Sequence, residues 1–152
     1  MNTELNEELQ ATGRVNIQLI DADGNLKEEH NVKNLVVTTG KNYIASKMVA
    51  TTNSPASMTH MGIGTGTTTP GASDTALQTP AGARQGLSGS SATGNAITYT
   101  ATFAAGIGTG AITEAGIFNA SSSGTMLCRT TFPVVNKASG DTIAVTWVVT
   151  VS

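Results

Sequence analysis

The chain closes on an alternating run, Asp141-Thr-Ile-Ala-Val-Thr-Trp-Val-Val-Thr-Val-Ser152, which constrains the fold more than any other feature. Successive side chains of a strand point to opposite faces. Ile143, Val145, Trp147, Val149 and Val151 therefore share one face, and Thr142, Ala144, Thr146, Val148 and Thr150 the other. The first face is a sheet interior. The second carries hydroxyls, Ala and Val but no charge, a poor surface for water alone, and is expected to lie against a neighbouring sheet, loop or subunit. Two further alternating runs precede it, Ile112–Phe118 and Thr125–Phe132, joined by the turn Asn119–Gly124.

The same pattern opens the chain. Val15, Ile17 and Leu19 alternate with Asn16, Gln18 and Ile20, and Asp21-Ala-Asp-Gly-Asn25 supplies a tight hairpin turn. Leu26–Lys33 returns, and Leu35–Thr39 is expected as a further strand. From Lys41 to Ala50 the spacing of Tyr43, Ile44, Lys47 and Met48 shifts to three and four, which predicts the one substantial helix, laid across a sheet end. Met58–Gly64 and Ile97–Phe103 are predicted strands, the latter with Ile97, Tyr99, Ala101 and Phe103 inward.

The expected architecture is mainly β: an antiparallel, jelly-roll-like β-sandwich over residues 13–152, with one short helix and an extended N-terminal arm at 1–12. A chain of 152 residues makes one domain. Residues 65–95 form a long Gly/Thr/Ser-rich loop with one firm spot, Ser73–Leu77, where Ser or Asp could cap a single turn. The pentapeptide Gly-Ile-Gly-Thr-Gly occurs at 62–66 and 106–110. The flanking residues do not match, so independent use of glycine at strand ends accounts for it better than duplication.

Charged residues make up only 12% of the chain, and the net charge is −2. Ordinary soluble proteins carry about 25%. So few charges suit a subunit whose surface is contacted by other subunits. Cations such as Lys27, Lys33, Lys41, Lys47, Arg84, Arg129 and Lys137 are scattered singly, which speaks against nucleic acid. The N-terminus has no positive, apolar leader and no spanning run, so neither secretion nor a membrane is expected, and synthesis is placed in a host cytoplasm.

Motifs that carry chemistry are mostly refused. Gly62–Gly66 lacks the Lys-Ser/Thr of a phosphate loop, and Pro70-Gly71 breaks the helix a dinucleotide fingerprint needs. Asp21–Asn25 opens like a calcium loop, but Gly24 and Val32 stand at the wrong positions for one. His30 and His60 have no partner at ligand spacing, and Cys128 is a lone thiol on a strand. No catalytic residue, cofactor or metal is expected. Glu114 is the one carboxylate inside an apolar strand. It reads either as an acid with a raised pKa or, preferred, as an edge charge that pairs with Arg129 or Arg84 and pins strand register. Leu5 and Leu9 of the arm, four residues apart, and Thr67, Thr68 and Thr69 of the loop are the candidate interface residues.

One series of segments resembles small tailed-bacteriophage virion proteins of the head decoration, tail or fibre-associated kind. In order they are Asn34–Ser46, Met61–Gly66, Ser73–Leu77 with Arg84, Ile112–Phe118, Gly124–Phe132 and Gly140–Trp147. The resemblance implies a non-enzymatic structural subunit located in the virion, without fixing its station. The preferred expectation is a capsid decoration (cement) protein that bridges neighbouring shell subunits. Its partners would be copies of itself, with a homotrimer favoured, and the major capsid protein or other virion proteins. A tail, baseplate or fibre-attachment component, including a receptor-binding knob, is the alternative; a small hydrolase is a remote one.

Overall fold

The computed structural model describes residue 5, residues 7–49, residue 52 and residues 54–152. Among them the chain forms strands β1 (Ala11–Ile20), β2 (Leu26–Val36), β3 (His60–Gly64), β4 (Gln85–Gly86), β5 (Gly89–Thr93), β6 (Ala96–Phe103), β7 (Gly110–Phe118), β8 (Met126–Lys137) and β9 (Thr142–Val151). One helix, α1 (Thr38–Ser46), follows β2. The strands make one antiparallel sheet in the order β4-β3-β7-β8-β2-β1-β9-β6-β5. It curls so that β4-β3-β7-β8 faces β2-β1-β9-β6-β5, and the fold is mainly β with a single short helix.

The core fills the space between the two halves. Val15, Ile17 and Leu19 of β1, Tyr99 and Phe103 of β6, and Ile143, Val145, Trp147 and Val149 of β9 meet Met61, Ile63, Ile117 and Cys128 from the facing half. The alternation of β9 is realised as read: its odd-numbered residues from Ile143 to Val149 are buried and Thr146 is exposed. At the first hairpin the Asp21 carboxylate accepts hydrogen bonds from the Asp23 and Asn25 amides at 2.9 and 2.8 Å, and Gly24 takes φ +85. That carboxylate is engaged by its own turn.

Several elements depart from the sequence expectation, each for a tertiary reason. The strand expected at Leu35–Thr39 is split. Leu35 and Val36 prolong β2 and pair with Arg129 and Cys128 of β8, whereas Thr38 and Thr39 begin the helix. A bulge in β8 causes this. Pairing moves from Ile117↔Cys128 to Phe118↔Met126, and the Leu127 carbonyl released there accepts the Val37 amide at 3.3 Å. Gly40 then rests on that carbonyl so closely that a Cβ would lie 1.9 Å from its oxygen. The helix thus starts earlier than its periodicity suggested; Ala50, its expected end, lies outside the described residues.

The strand expected to stop at Phe132 runs through Pro133 to Lys137. Between Ile112↔Val135 and Glu114↔Thr131 three residues of β8 bulge opposite Thr113 alone, and Pro133, which has no N–H to donate, sits inside that bulge. The loop expected over 65–95 is shorter. Gln85-Gly86 pairs with β3 and Gly89–Thr93 with β6, leaving 65–84 irregular. The arm expected over 1–12 also shortens. β1 starts at Ala11, and Gln10 exchanges backbone hydrogen bonds with Ser152 at 2.6 and 2.8 Å. Residues 1–4 and 6 of that arm lie outside the described residues.

Candidate functional site: a buried clamp, a threonine loop and an open face

Glu114 lies in the middle of β7, flanked by β3 and β8, and is fully buried; it is not the edge charge expected. Its side chain points to the outer face of its half-sheet, away from the main core. Opposite Glu114 stands Thr131, so Arg129 is its diagonal neighbour on the same face. Arg129 Nε donates to Glu114 Oε2 at 2.9 Å and Nη2 lies 2.8 Å from the same oxygen. The structure therefore joins Glu114 with Arg129. The other cation considered, Arg84, goes elsewhere: it stacks 3.4 Å from the centroid of the Phe118 ring and donates to the carbonyls of Ala120 and Ser123 at 2.9 and 2.8 Å. It caps the β7–β8 turn.

The ion pair reaches beyond two strands. Glu114 Oε1 accepts the amides of Gly66 and Thr79 at 3.1 and 2.7 Å, and Oε2 accepts the Gln78 amide at 3.0 Å. Arg129 donates from Nη1 to Asp74 Oδ2 at 2.9 Å and from Nη2 to the Thr68 carbonyl at 3.0 Å. Thr113 Oγ1 donates to the Gly66 carbonyl at 2.8 Å. Buried charges persist where hydrogen bonds satisfy them. Here the satisfying groups are the backbone of the 65–84 loop, which is folded onto the sheet by the pair. Asp74 also accepts the Gly71 amide at 2.9 Å, closing a turn where a helical cap was expected. Val37, Leu77, Phe118 and Met126 form a second apolar cluster.

The first Gly-Ile-Gly-Thr-Gly segment is explained by this clamp. A Cβ on Gly64 would lie 2.4 Å from the Thr79 carbonyl oxygen and 2.5 Å from Glu114 Oε1; one on Gly66 would lie 2.6 Å from the same carboxylate oxygen. Here glycine gives room. In the second copy it gives backbone freedom, since Gly106, Gly108 and Gly110 all take positive φ. The two pentapeptides share composition and serve different physical ends.

Above the clamp Thr67, Thr68 and Thr69 are exposed, with Thr68 held from below by Arg129 and by Gln78 Oε1, which accepts its amide at 2.8 Å. The loop meets α1 at its start, where the Thr38 amide donates to the Ala72 carbonyl at 2.8 Å. Of the other candidate interface residues, Leu9 sits toward the far end of that helix. Leu5 is 93% and Leu9 77% exposed, and Leu9 lines a groove with Ile44, Ala45 and Met48.

On the second face of β9 Thr146 is exposed and Thr142, Ala144, Val148 and Thr150 are half-buried, and among the described residues no second sheet is stacked on it. Strand register places Ser91, Thr98, Val148, Arg14 and Lys33 in one row, and Gly89, Thr100, Thr146, Asn16 and Asn31 in the next. The β1–β2 side is polar and charged, with Asn16 donating to Glu29 and Asn31 at 2.6 and 3.0 Å. The β9–β6–β5 side carries Thr, Ser, Ala and Val without a charge.

The remaining candidates are placed as follows. Cys128 is fully buried in the core, and burial pushes its thiol well above the usual range. His30 Nε2 lies 2.6 Å from Glu28 Oε1, and His60 Nδ1 2.8 Å from Thr59 Oγ1. Among the described residues no group of three His, Cys, Asp or Glu could hold a metal ion, and no helix is long and apolar enough to cross a membrane. No protein-family model, curated protein or solved structure matches the chain.

Sequence reading missed the scale of the clamp. The signal was present in the glycines at 62, 64 and 66 and in Asp74, but only register aligns them with Glu114.

Proposed function

We propose that this chain is a non-enzymatic structural subunit of a tailed-phage virion, acting as a capsid decoration (cement) protein that ties neighbouring shell subunits together. The observation that carries the reading is the outer face of β9, β6 and β5, which is uncharged and, among the described residues, has no second sheet stacked on it. Removing such a face from water costs less than removing a charged one, because no ion must be stripped of its hydration and its hydroxyls need only new hydrogen-bond partners. The exposed Thr67–Thr69 tip supports the same reading: its backbone is held by buried charges, so little ordering entropy is lost on docking. Leu5 and Leu9 supply apolar area that would bind weakly from one copy and more strongly from several held in one assembly.

The test is imaging of the phage particle and location of the subunit's density. Density bridging shell subunits supports the cement role; density on the tail, baseplate or fibre replaces it with the alternative station. The arm gives a biochemical check. Deleting residues 1–9 should leave the isolated domain's melting temperature nearly unchanged and sharply reduce retention on shells in a sedimentation assay. Full retention would remove the arm from the mechanism.

A further inference from the structure

We infer that the free edge of β5 is a pairing edge for a second copy of this chain, with the two β5 strands antiparallel across a two-fold axis. The inference goes beyond the reading above, sets a two-fold pairing in place of the homotrimer expected from the sequence, and needs no virion.

The two ends of the curled sheet are treated differently. At the β3 end the edge is filled. Gly64 bridges to Pro80, the Thr65 amide donates to Thr79 and the Ala81 amide to Ile63, both at 2.9 Å, and Gln85-Gly86 continues the cover. At the other end β5 pairs with β6 on one side only. Alternate backbone N–H and C=O groups of an edge strand point away from its neighbour. Residues 90–95 are all exposed, and among the described residues no backbone group of Ser90–Thr93 has a partner outside β6.

Sheet edges that must stay single are protected by charge, proline or a bulge. This one has none of them. The chain carries no Asp, Glu, Lys, Arg or His between Arg84 and Glu114, no proline in β5, and no register shift between β5 and β6. Water satisfies these exposed amides and carbonyls in the free chain; the protein partner that replaces it along the whole row is another extended backbone. Ser90, Ser91, Ala92 and Thr93 offer neither charge nor pocket to select a foreign sequence. Two copies of the edge meet without like charges or bulky side chains, and antiparallel pairing about a two-fold axis is self-complementary. The uncharged outer face would then run continuously across both copies.

Sedimentation equilibrium of the full chain at high micromolar concentration should give twice the 15.4 kDa chain mass. Replacing Ser91→Lys together with Thr93→Lys keeps every backbone donor and sets cations against cations across the axis; it should raise the dissociation constant about tenfold or more. Asn31→Lys, on exposed β2, should leave it unchanged. If the lysine variant does not fold, hydrogen exchange on the unmodified chain decides: amides within Ser90–Thr93 should become protected as concentration rises. A monomer, a trimer, a dimer indifferent to the two lysines, or exchange at β5 independent of concentration would each overturn the inference. Particle imaging, which tests the virion reading, is unaffected by any of these results.

Discussion

Replacing Glu114 by Gln should destabilise the domain by about 3–5 kcal/mol, the cost of leaving a buried charge without its partner. The carboxylate takes donors from Gly66, Thr79, Gln78 and twice from Arg129, all between 2.7 and 3.1 Å. A glutamine has one acceptor oxygen, so its amide must turn an N–H toward other donors. Arg129, 2% exposed, keeps only Asp74 as a charged partner. For a domain of this size each kcal/mol is worth about 2–4 °C, so the melting temperature should fall by roughly 6–20 °C. Urea unfolding followed by fluorescence of Trp147, the sole and fully buried tryptophan, measures it.

A second variant separates this clamp from a simple ion pair. Exchanging a buried pair for apolar residues is often neutral or stabilising. Glu114→Leu with Arg129→Met should not be so here, because the amides of Gly66, Gln78 and Thr79 lose their acceptor, at about 1–3 kcal/mol each. Hydrogen exchange at those amides should quicken in both variants. If Glu114→Gln unfolds within about 1 kcal/mol of the parent, or the apolar pair matches the parent's stability, the clamp does not hold the loop.

Further outcomes are expected elsewhere. Gly64→Ala should destabilise by about 1–3 kcal/mol in the same urea assay, since the new methyl meets a carbonyl and the Glu114 carboxylate. Cys128 should resist thiol reagents in the native protein and react only after unfolding, its thiol being buried and its pKa raised. Asp141 has its pKa lowered by the hydrogen bond from Lys27 and by the Ala138 amide. A depressed carboxylate stabilises the fold above its unfolded pKa, and that contribution is lost as pH falls through the folded value. Asp141→Asn should therefore flatten the acid limb of the stability curve below the ordinary value of 3.8. An unchanged limb would show that the group is uncoupled from folding.

The alternation in 141–152, 97–103 and 13–20 was enough to read a mainly β domain and to say which residues fill its core, because strand periodicity acts locally. The first turn and a helix near residue 41 were legible for the same reason: both depend on residues within a few positions of each other. What the local pattern could not settle depended on register. The helix starts at Thr38 because a bulge in β8, about ninety residues on, frees the Leu127 carbonyl for Val37. Arg129 could be proposed for Glu114 from charge alone, but Arg84 was as good a candidate until the pairing of β7 with β8 put Arg129 on the diagonal. Glu114 looked like an edge charge because nothing in its neighbourhood reveals that β3 lies beside β7, or that loop amides 35 to 48 residues upstream surround it. Composition, alternation and turns are properties of short stretches; which strand lies beside which, and which buried charge meets which backbone amide, belongs to the folded chain, where distant residues share one low-dielectric space and must satisfy each other.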